Sequence, residues 1–452
     1  MHQESHEPSA PVADDEEQKL ALKIESDEDR RAALRRVIPT AGIGHFAEWF
    51  DFALYGTLAT VISMNFFQKG DPQAAMLSTF AVFAAGFLIR PIGGMFWGSL
   101  GDRFGRKNVL AAIILCTTGC TFLMGCLPTY QTLGIWASVV LVLLRLLQGF
   151  AAGGESSGST TLLLEFSPSN RRGFVTSFID LFGVASYLAG SGIVLLLSAV
   201  VGEAAVEGWA WRIPFFIALP LGWIGFYMRE KLEDTPEFKA TKKMSKVQKS
   251  PLKMSVMTQW KVLLFCAGFV TIKSVGHWML QTFMPAYLQT DLEYDQLTSY
   301  GATFLGFLVC FALIGPFGML SDRIGRRPVM ALGCVGFIVL TYPTLILMSA
   351  GSFWAAAGAM AILGICLAAV DGAINAAMAE LFPTNLRFTS MALAYNIAVS
   401  LFGGLTPYIS SWLIASTGNK FAPAFWLMIA GAISLVAVWK ARETAHSPLN
   451  AG

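Results

Sequence analysis

Twelve stretches of this chain are almost free of charge, and each is long enough to cross a lipid hydrocarbon core as a helix. They lie near 38–65, 75–101, 108–127, 133–164, 173–200, 211–228, 258–289, 297–320, 328–349, 352–381, 388–415 and 421–439. A core of roughly 30 Å takes about 20 helical residues, and a helix satisfies every backbone amide within its own segment. Strands do not fit, because the stretches are continuous apolar runs rather than alternations of about ten residues. Only 14% of the 452 residues are charged, against roughly a quarter in soluble domains. The expected fold is an all-α membrane protein of twelve transmembrane helices.

The net charge of +2 carries no message about nucleic acid; the position of the charges matters more. Of 32 Lys and Arg, Lys69 and Lys420 lie in loops on one side and Arg90, Arg145, Arg212 and Lys273 lie in helices. The other 26 crowd the opposite side. The positive-inside rule assigns that side, with both termini, to the cytoplasm. Residues 1–36 are polar and hold no apolar core, so a cytoplasmic tail is expected there rather than a leader. The seven cysteines sit in apolar stretches; Cys116 and Cys120 share a face without His or Asp partners, and no metal site is expected.

An internal repeat divides the chain. Gly98, Asp102, Arg103, Gly105 and Arg106 recur as Gly318, Asp322, Arg323, Gly325 and Arg326, about 220 residues later, each set after the second helix of its half. Glu165 and Arg171 are echoed by Glu380 and Arg387 after the fourth. Parallel six-helix repeats bind their solute between the halves, near the midplane. The expected units are a tail (1–36), a six-helix half (37–230), a linker (231–257), a second half (258–440) and a short tail (441–452). The repeated glycines permit tight turns, and each Asp is placed to cap a helix or pair with an arginine. These residues are expected to form a gating latch.

Ionisable groups inside a membrane are costly, so each is a candidate for function. Gly44, Glu48, Asp51 and Tyr55 follow helical spacing on the first helix, and Glu48 lies roughly 15 Å deep. Arg90 sits at similar depth on the second helix, and Arg145, Gln148, Glu155 and Ser159 form a stripe on the fourth. This set reads either as an ion-pair cluster pinning helices or as a proton-coupled site. Burial favours the neutral carboxyl and a neighbouring arginine the carboxylate, so a solute that occupies the arginine promotes proton uptake. On the seventh helix Lys273, His277 and Gln281 share a face, and the tenth carries Asp371 and Asn375. Lys273 and Asp371 are expected to neutralise each other, and Asp180 to serve packing or gating near the inner surface. Trp49, Tyr55, Trp278 and Tyr395 are expected to line the cavity or cage a quaternary ammonium.

The segments Ala47-Glu48-Trp49-Phe50-Asp51-Phe52, Arg90-Pro91-Ile92-Gly93-Gly94, Arg145 through Glu155, Trp211-Arg212-Ile213-Pro214 and Tyr395-Asn396-Ile397 carry a resemblance. From about residue 40 to 449 the chain resembles the metabolite:proton symporter family of the major facilitator superfamily, and within it the bacterial proline/glycine-betaine carriers. The resemblance implies import with protons by alternating access across the bacterial inner membrane, powered by the proton gradient without a cofactor. It implies a small solute, protons and lipid as partners, and a chain acting as a monomer. The residues then divide by role: Glu48, Asp51 and Glu155 for the proton; Arg90, Arg145, Tyr55, Gln148, Lys273, His277, Trp278, Asp371, Tyr395 and Asn396 for the solute. The charges at Lys273, His277 and Asp371 depart from a betaine carrier and keep an organic acid such as citrate or 2-oxoglutarate as the alternative. A membrane sensor is the alternative of another class, and no constellation of an enzyme is present.

Overall fold

The computed structural model describes residues 27–68, 70–104, 106–153, 158–233, 251–382, 384–445 and 447. Inside lipid a backbone satisfies its amides only within its own helix, and the apolar stretches obey. The first half holds α1 (Asp27–Thr57, continued by Ala59–Phe66), α2 (Pro72–Leu88 and Arg90–Phe104), α3 (Arg106–Cys126) and α4 (Ile135–Ala152, resumed by Gly158–Phe166). It closes with α5 (Arg172–Val201) and α6 (Arg212–Glu233). The second half holds α7 (Pro251–Trp278, Met279–Phe283 and Met284–Thr290), α8 (Gln296–Ile324) and α9 (Arg326–Met348). After these come α10 (Phe353–Leu381), α11 (Thr384–Ala398, Val399–Gly403 and Thr406–Thr417) and α12 (Pro423–Lys440).

Among the described residues, nine helices pass on length and apolarity alone, and the bent pair Glu203–Ala210 and Arg212–Tyr227 makes a tenth. The apolar part of α3 is short, Ala111–Cys126. α1 carries its own charges at Glu48 and Asp51, which dilute its apolar character. The architecture is the twelve-helix arrangement of two six-helix halves.

Local chemistry sets the helix ends and irregularities. Asp71 Oδ1 accepts from the N–H of Gln73 (2.9 Å) and Ala74 (3.1 Å), capping α2, and Asp295 caps α8 in the same way. The ladder of α2 breaks at Ile89, two residues before Pro91, which has no N–H to donate. α7 and α11 each contain a π-helical turn, Met279–Phe283 and Val399–Gly403.

Close approach between α2 and α4 needs glycine. A Cβ on Gly149 would run into the carbonyl of Gly86, and one on Gly153 into the carbonyl of Arg90. Small residues let helices touch where lipid supplies no hydrophobic drive between them. The two halves meet along a seam, with α5 against α8 and α10, α2 against α11, and α1 against the π turn of α7.

Candidate functional site

A cavity sits on that seam. His45 and Trp49 of α1 and Asp180, Gly183 and Tyr187 of α5 line it from the first half. Lys273, Ser274, His277 and Trp278 of α7 and Tyr395 and Val399 of α11 line it from the second. Its volume is about 20 Å³, room for a water molecule and far too little for a solute of amino-acid size. Lys273 Nζ donates to Asp180 Oδ1 (2.6 Å) and Oδ2 (2.7 Å), an ion pair across the seam. Asn375 of α10 supports it, with Nδ2 donating to Asp180 Oδ2 at 3.0 Å and to the carbonyl of Thr176 at 3.3 Å. His277 Nε2 pairs with Asp371 Oδ2 at 2.8 Å.

The expected Lys273–Asp371 pair is therefore replaced by two others. Asp180 stands eight residues into α5, roughly 12 Å along it, deep enough to reach Lys273 across the seam. Packing of Trp278 gives the cavity an aromatic floor. Its ring stacks on Trp49 at 5.7 Å and meets Phe83 at 5.1 Å and Phe87 at 4.8 Å. Gly403 makes room for it, since a Cβ there would lie 2.7 Å from Trp278 Cδ1. Trp49 Nε1, Tyr187 Oη, Ser274 Oγ and His277 Nδ1 find no hydrogen-bond partner among the described residues.

The other face of α1 looks into a second small void, enclosed within the first half. Gly44, Ala47, Glu48 and Asp51 line it with Thr117 and Thr118 of α3 and Gly222 and Gly225 of α6. Glu48 and Asp51 do share a face, and that face turns inward rather than to the seam. Glu48 lies 3.8 Å from Arg90 Nη2 and 3.7 Å from His45 Nδ1. Arg145 is buried beside them, its guanidinium 4.4 Å from the Tyr55 ring centroid and 5.0 Å from those of Phe52 and Phe83. It donates to Gln148 Oε1 (2.5 Å), and Gln148 donates to Thr121 (2.7 Å), while Tyr55 donates to the carbonyl of Thr79. Arg90, Arg145, Tyr55 and Gln148 thus do not line the seam cavity, and neither do Asn396 and Asp371, the latter meeting it through His277.

At the end of the molecule where α12 finishes, a charged network closes the seam. Asp322 Oδ1 and Oδ2 accept from the N–H groups of Gly173 (2.8 Å) and Phe174 (2.9 Å), the start of α5 in the other half. Arg326 donates to Asp322 at 2.7 Å and to Glu380 at 3.2 Å, and Arg172 approaches Glu380 at 3.8 Å. Gly325 makes the turn with φ +106, and a Cβ there would lie 2.7 Å from Glu443 Oε2. Glu443 accepts from the N–H groups of Arg326 and Arg327, both at 2.9 Å, and Arg172 donates to the carbonyl of Ser447. The opposite end carries a lighter closure: Gln296 Nε2 donates to Glu207 at 2.7 Å, and Leu297 N–H to Glu203 at 3.3 Å.

Of the other residues expected in the latch, Arg171 and Arg323 are exposed, and Arg387 is buried with Nε on the carbonyl of Ala379. Glu155, Gly105 and the side-chain positions of Gly98, Asp102, Arg103, Arg106 and Glu165 lie outside the described residues. Sequence reasoning passed over His45, which lines the seam cavity yet touches Glu48, and the Glu443 cap. His45 carried a readable signal, standing three positions before Glu48 on one helix. Glu443 carried none, because the α9 amides it caps, those of Arg326 and Arg327, lie more than 110 residues away in sequence.

A family model of sugar (and other) transporters matches residues 37–259, and a major facilitator superfamily model matches residues 302–452. The chain is 38% identical to the proline/betaine transporter of Escherichia coli strain K12, over 92% of this chain and 85% of that one. It is equally similar, with the same coverage, to the glycine betaine/proline/ectoine/pipecolic acid transporter OusA of Dickeya dadantii. To the ectoine/proline transporter of Corynebacterium glutamicum it is 36% identical, over 92% and 85% of the two chains. Among solved structures, a D-xylose–proton symporter superposes with a TM-score of 0.70 at 18% identity, covering 91% of this chain and 98% of the other. A partially occluded inward-open form of the xylose transporter XylE from E. coli gives 0.68 at 17%, covering 92% and 99%.

Proposed function

The chain belongs to the family of bacterial proline/betaine transporters within the major facilitator superfamily, and from that premise we propose that it imports a small zwitterionic osmolyte with protons. The observation that carries this is charge balance at the seam. Lys273 is matched by Asp180, and His277 by Asp371. A site whose lysine is already matched suits a solute of no net charge, whereas a di-acid would bring two anions to a seam lined, among the described residues, by no Lys or Arg other than Lys273. The aromatic wall of Trp49, Trp278, Tyr187 and Tyr395 suits a methylated or ring-substituted ammonium.

Alternating access moves the halves about the seam, opening one closed end at a time. The crowding of Lys and Arg at the end that holds the Asp322 network supports placing it in the cytoplasm of a bacterial cell, with the chain in the inner membrane. Proton binding is assigned to Glu48 and Asp51, whose pocket has neutral threonine walls and Arg90 beside it. His45 touches Glu48 and lines the seam cavity, so it is the residue through which solute occupancy reaches the proton pocket.

Proteoliposomes holding the full chain, with an imposed pH gradient, test the reading. Labelled glycine betaine or proline accumulates when the outside is acidic, and citrate and 2-oxoglutarate do not. Uptake indifferent to the gradient rejects proton coupling; uptake of the di-acids alone rejects the osmolyte.

A further inference from the structure

The Asp180–Lys273 pair differs from every other buried ion pair described here, because both of its members line the seam cavity and each belongs to a different half. In the His277–Asp371 pair only the histidine faces the cavity, and Asp371 is fully buried behind it. The Arg326–Glu380 pair lies at the closed end, away from the cavity. We propose that the solute docks by exchange with the Asp180–Lys273 pair: its carboxylate takes Lys273, its cationic head takes Asp180, and the bridge between halves is rebuilt through the solute. The inference rests on the osmolyte reading above and specifies how that class is recognised.

Three features support exchange rather than addition. The cavity has about 20 Å³, so a solute enters only by displacing side chains from one another. Asn375 donates to Asp180 at 3.0 Å, so the carboxylate keeps a partner when Lys273 swings away. The rings of Trp49, Trp278, Tyr187 and Tyr395 surround the pair, offering π faces to a cationic head that cannot donate hydrogen bonds. The exchange conserves charge pairing. A solute with one charge would satisfy one partner and strand the other in a buried site, and a stranded buried charge costs about 3–5 kcal/mol, a factor of about 100 or more in affinity.

The mechanism makes a selectivity prediction that a merely structural salt bridge does not. In proteoliposomes of the full chain, uptake of labelled glycine betaine is challenged with 3,3-dimethylbutyrate, its carbon isostere lacking the cation, and with choline, which lacks the carboxylate. Both are expected to compete about 100-fold more weakly than unlabelled betaine. Asp180→Asn is expected to reverse the first preference, admitting 3,3-dimethylbutyrate over betaine, and Lys273→Gln to admit choline. The double variant Asp180→Asn/Lys273→Gln leaves neither member charged, so it is expected to fold as the parent does and to lose betaine binding about 100-fold. Strong competition by either analogue in the unaltered protein would overturn the exchange, as would betaine binding retained in the double variant. Absence of any betaine or proline uptake by the unaltered protein would instead reject the osmolyte reading itself, a separate and recognisable outcome.

Discussion

The two faces of α1 look into voids of equal size, about 20 Å³ each, and of opposite construction. One is enclosed by α1, α3 and α6, all of one half, and is lined by two carboxylates, two threonines, Ile114 and small residues. The other is split between halves, walled by aromatic rings and crossed by an ion pair. Groups inside one rigid half keep their neighbours while the halves rock; groups on the seam exchange theirs. A proton store belongs in the first setting, where its surroundings move with it. A solute site belongs in the second, because a solute must be reached from either end in turn. His45 touches both chambers and gives the contrast its coupling.

The contrast breaks most readily at Lys273. Lys273→Gln strands Asp180 in a buried site and is expected to cost about 3–5 kcal/mol of stability, read by thermal unfolding in detergent, with restoration when Asp180→Asn is added. Asp51→Asn should leave solute binding within a few-fold of the parent, measured by equilibrium binding of labelled betaine. A comparable loss in both would merge the two chambers into one site. Asp322→Ala removes the acceptor of two α5 amides and of Arg326, shifting the seam toward opening by about 2–3 kcal/mol. Spin labels across the ends of α5 and α8 should then move apart, while labels on α1 and α6 keep their separation. Equal movement of both pairs would deny that the proton pocket travels as a unit.

The smallest effect is expected at Glu443. Burial pushes its carboxyl up, but the N–H groups of Ala445, Arg326, Arg327 and Thr444 outweigh that and hold it below its usual 4.5. A group whose value is lowered in the folded protein contributes fully above its unfolded value and is lost as pH falls through the folded one. The cap should therefore be constant between about pH 5 and 8, and Glu443→Gln should loosen the α8–α9 turn slightly and equally across that range. Hydrogen exchange at Arg326 and Arg327 measures it.

Much of this was legible in the sequence, and the legible part has a physical reason. Helix length and apolarity are local, so the twelve stretches could be read directly, as could the face shared by Glu48 and Asp51. Asp322 was readable as a helix cap because the repeat marked it, although not which helix it caps. Pairing across the seam was not legible. Depth along the helices pairs Lys273 with Asp371 and leaves Asp180 near the inner surface, whereas the actual pairing depends on how α5 and α10 cross α7. Periodicity places a side chain on a face of its own helix; only the packing says whether that face meets the seam or the interior of a half. Arg90, Arg145, Tyr55 and Gln148, expected as solute contacts, do not line the seam cavity for that reason.

The central claim is that α1 separates the proton from the solute, and counterflow against accumulation tests it directly. Proteoliposomes are loaded with unlabelled betaine, and entry of labelled betaine is followed with no pH gradient and then with one. Glu48→Gln is expected to keep exchange near the parent rate and to lose accumulation down to equilibrium, while Asp180→Asn/Lys273→Gln loses both. A Glu48→Gln protein that still concentrates betaine against its gradient, or that loses exchange as completely as the seam variant, would contradict the account.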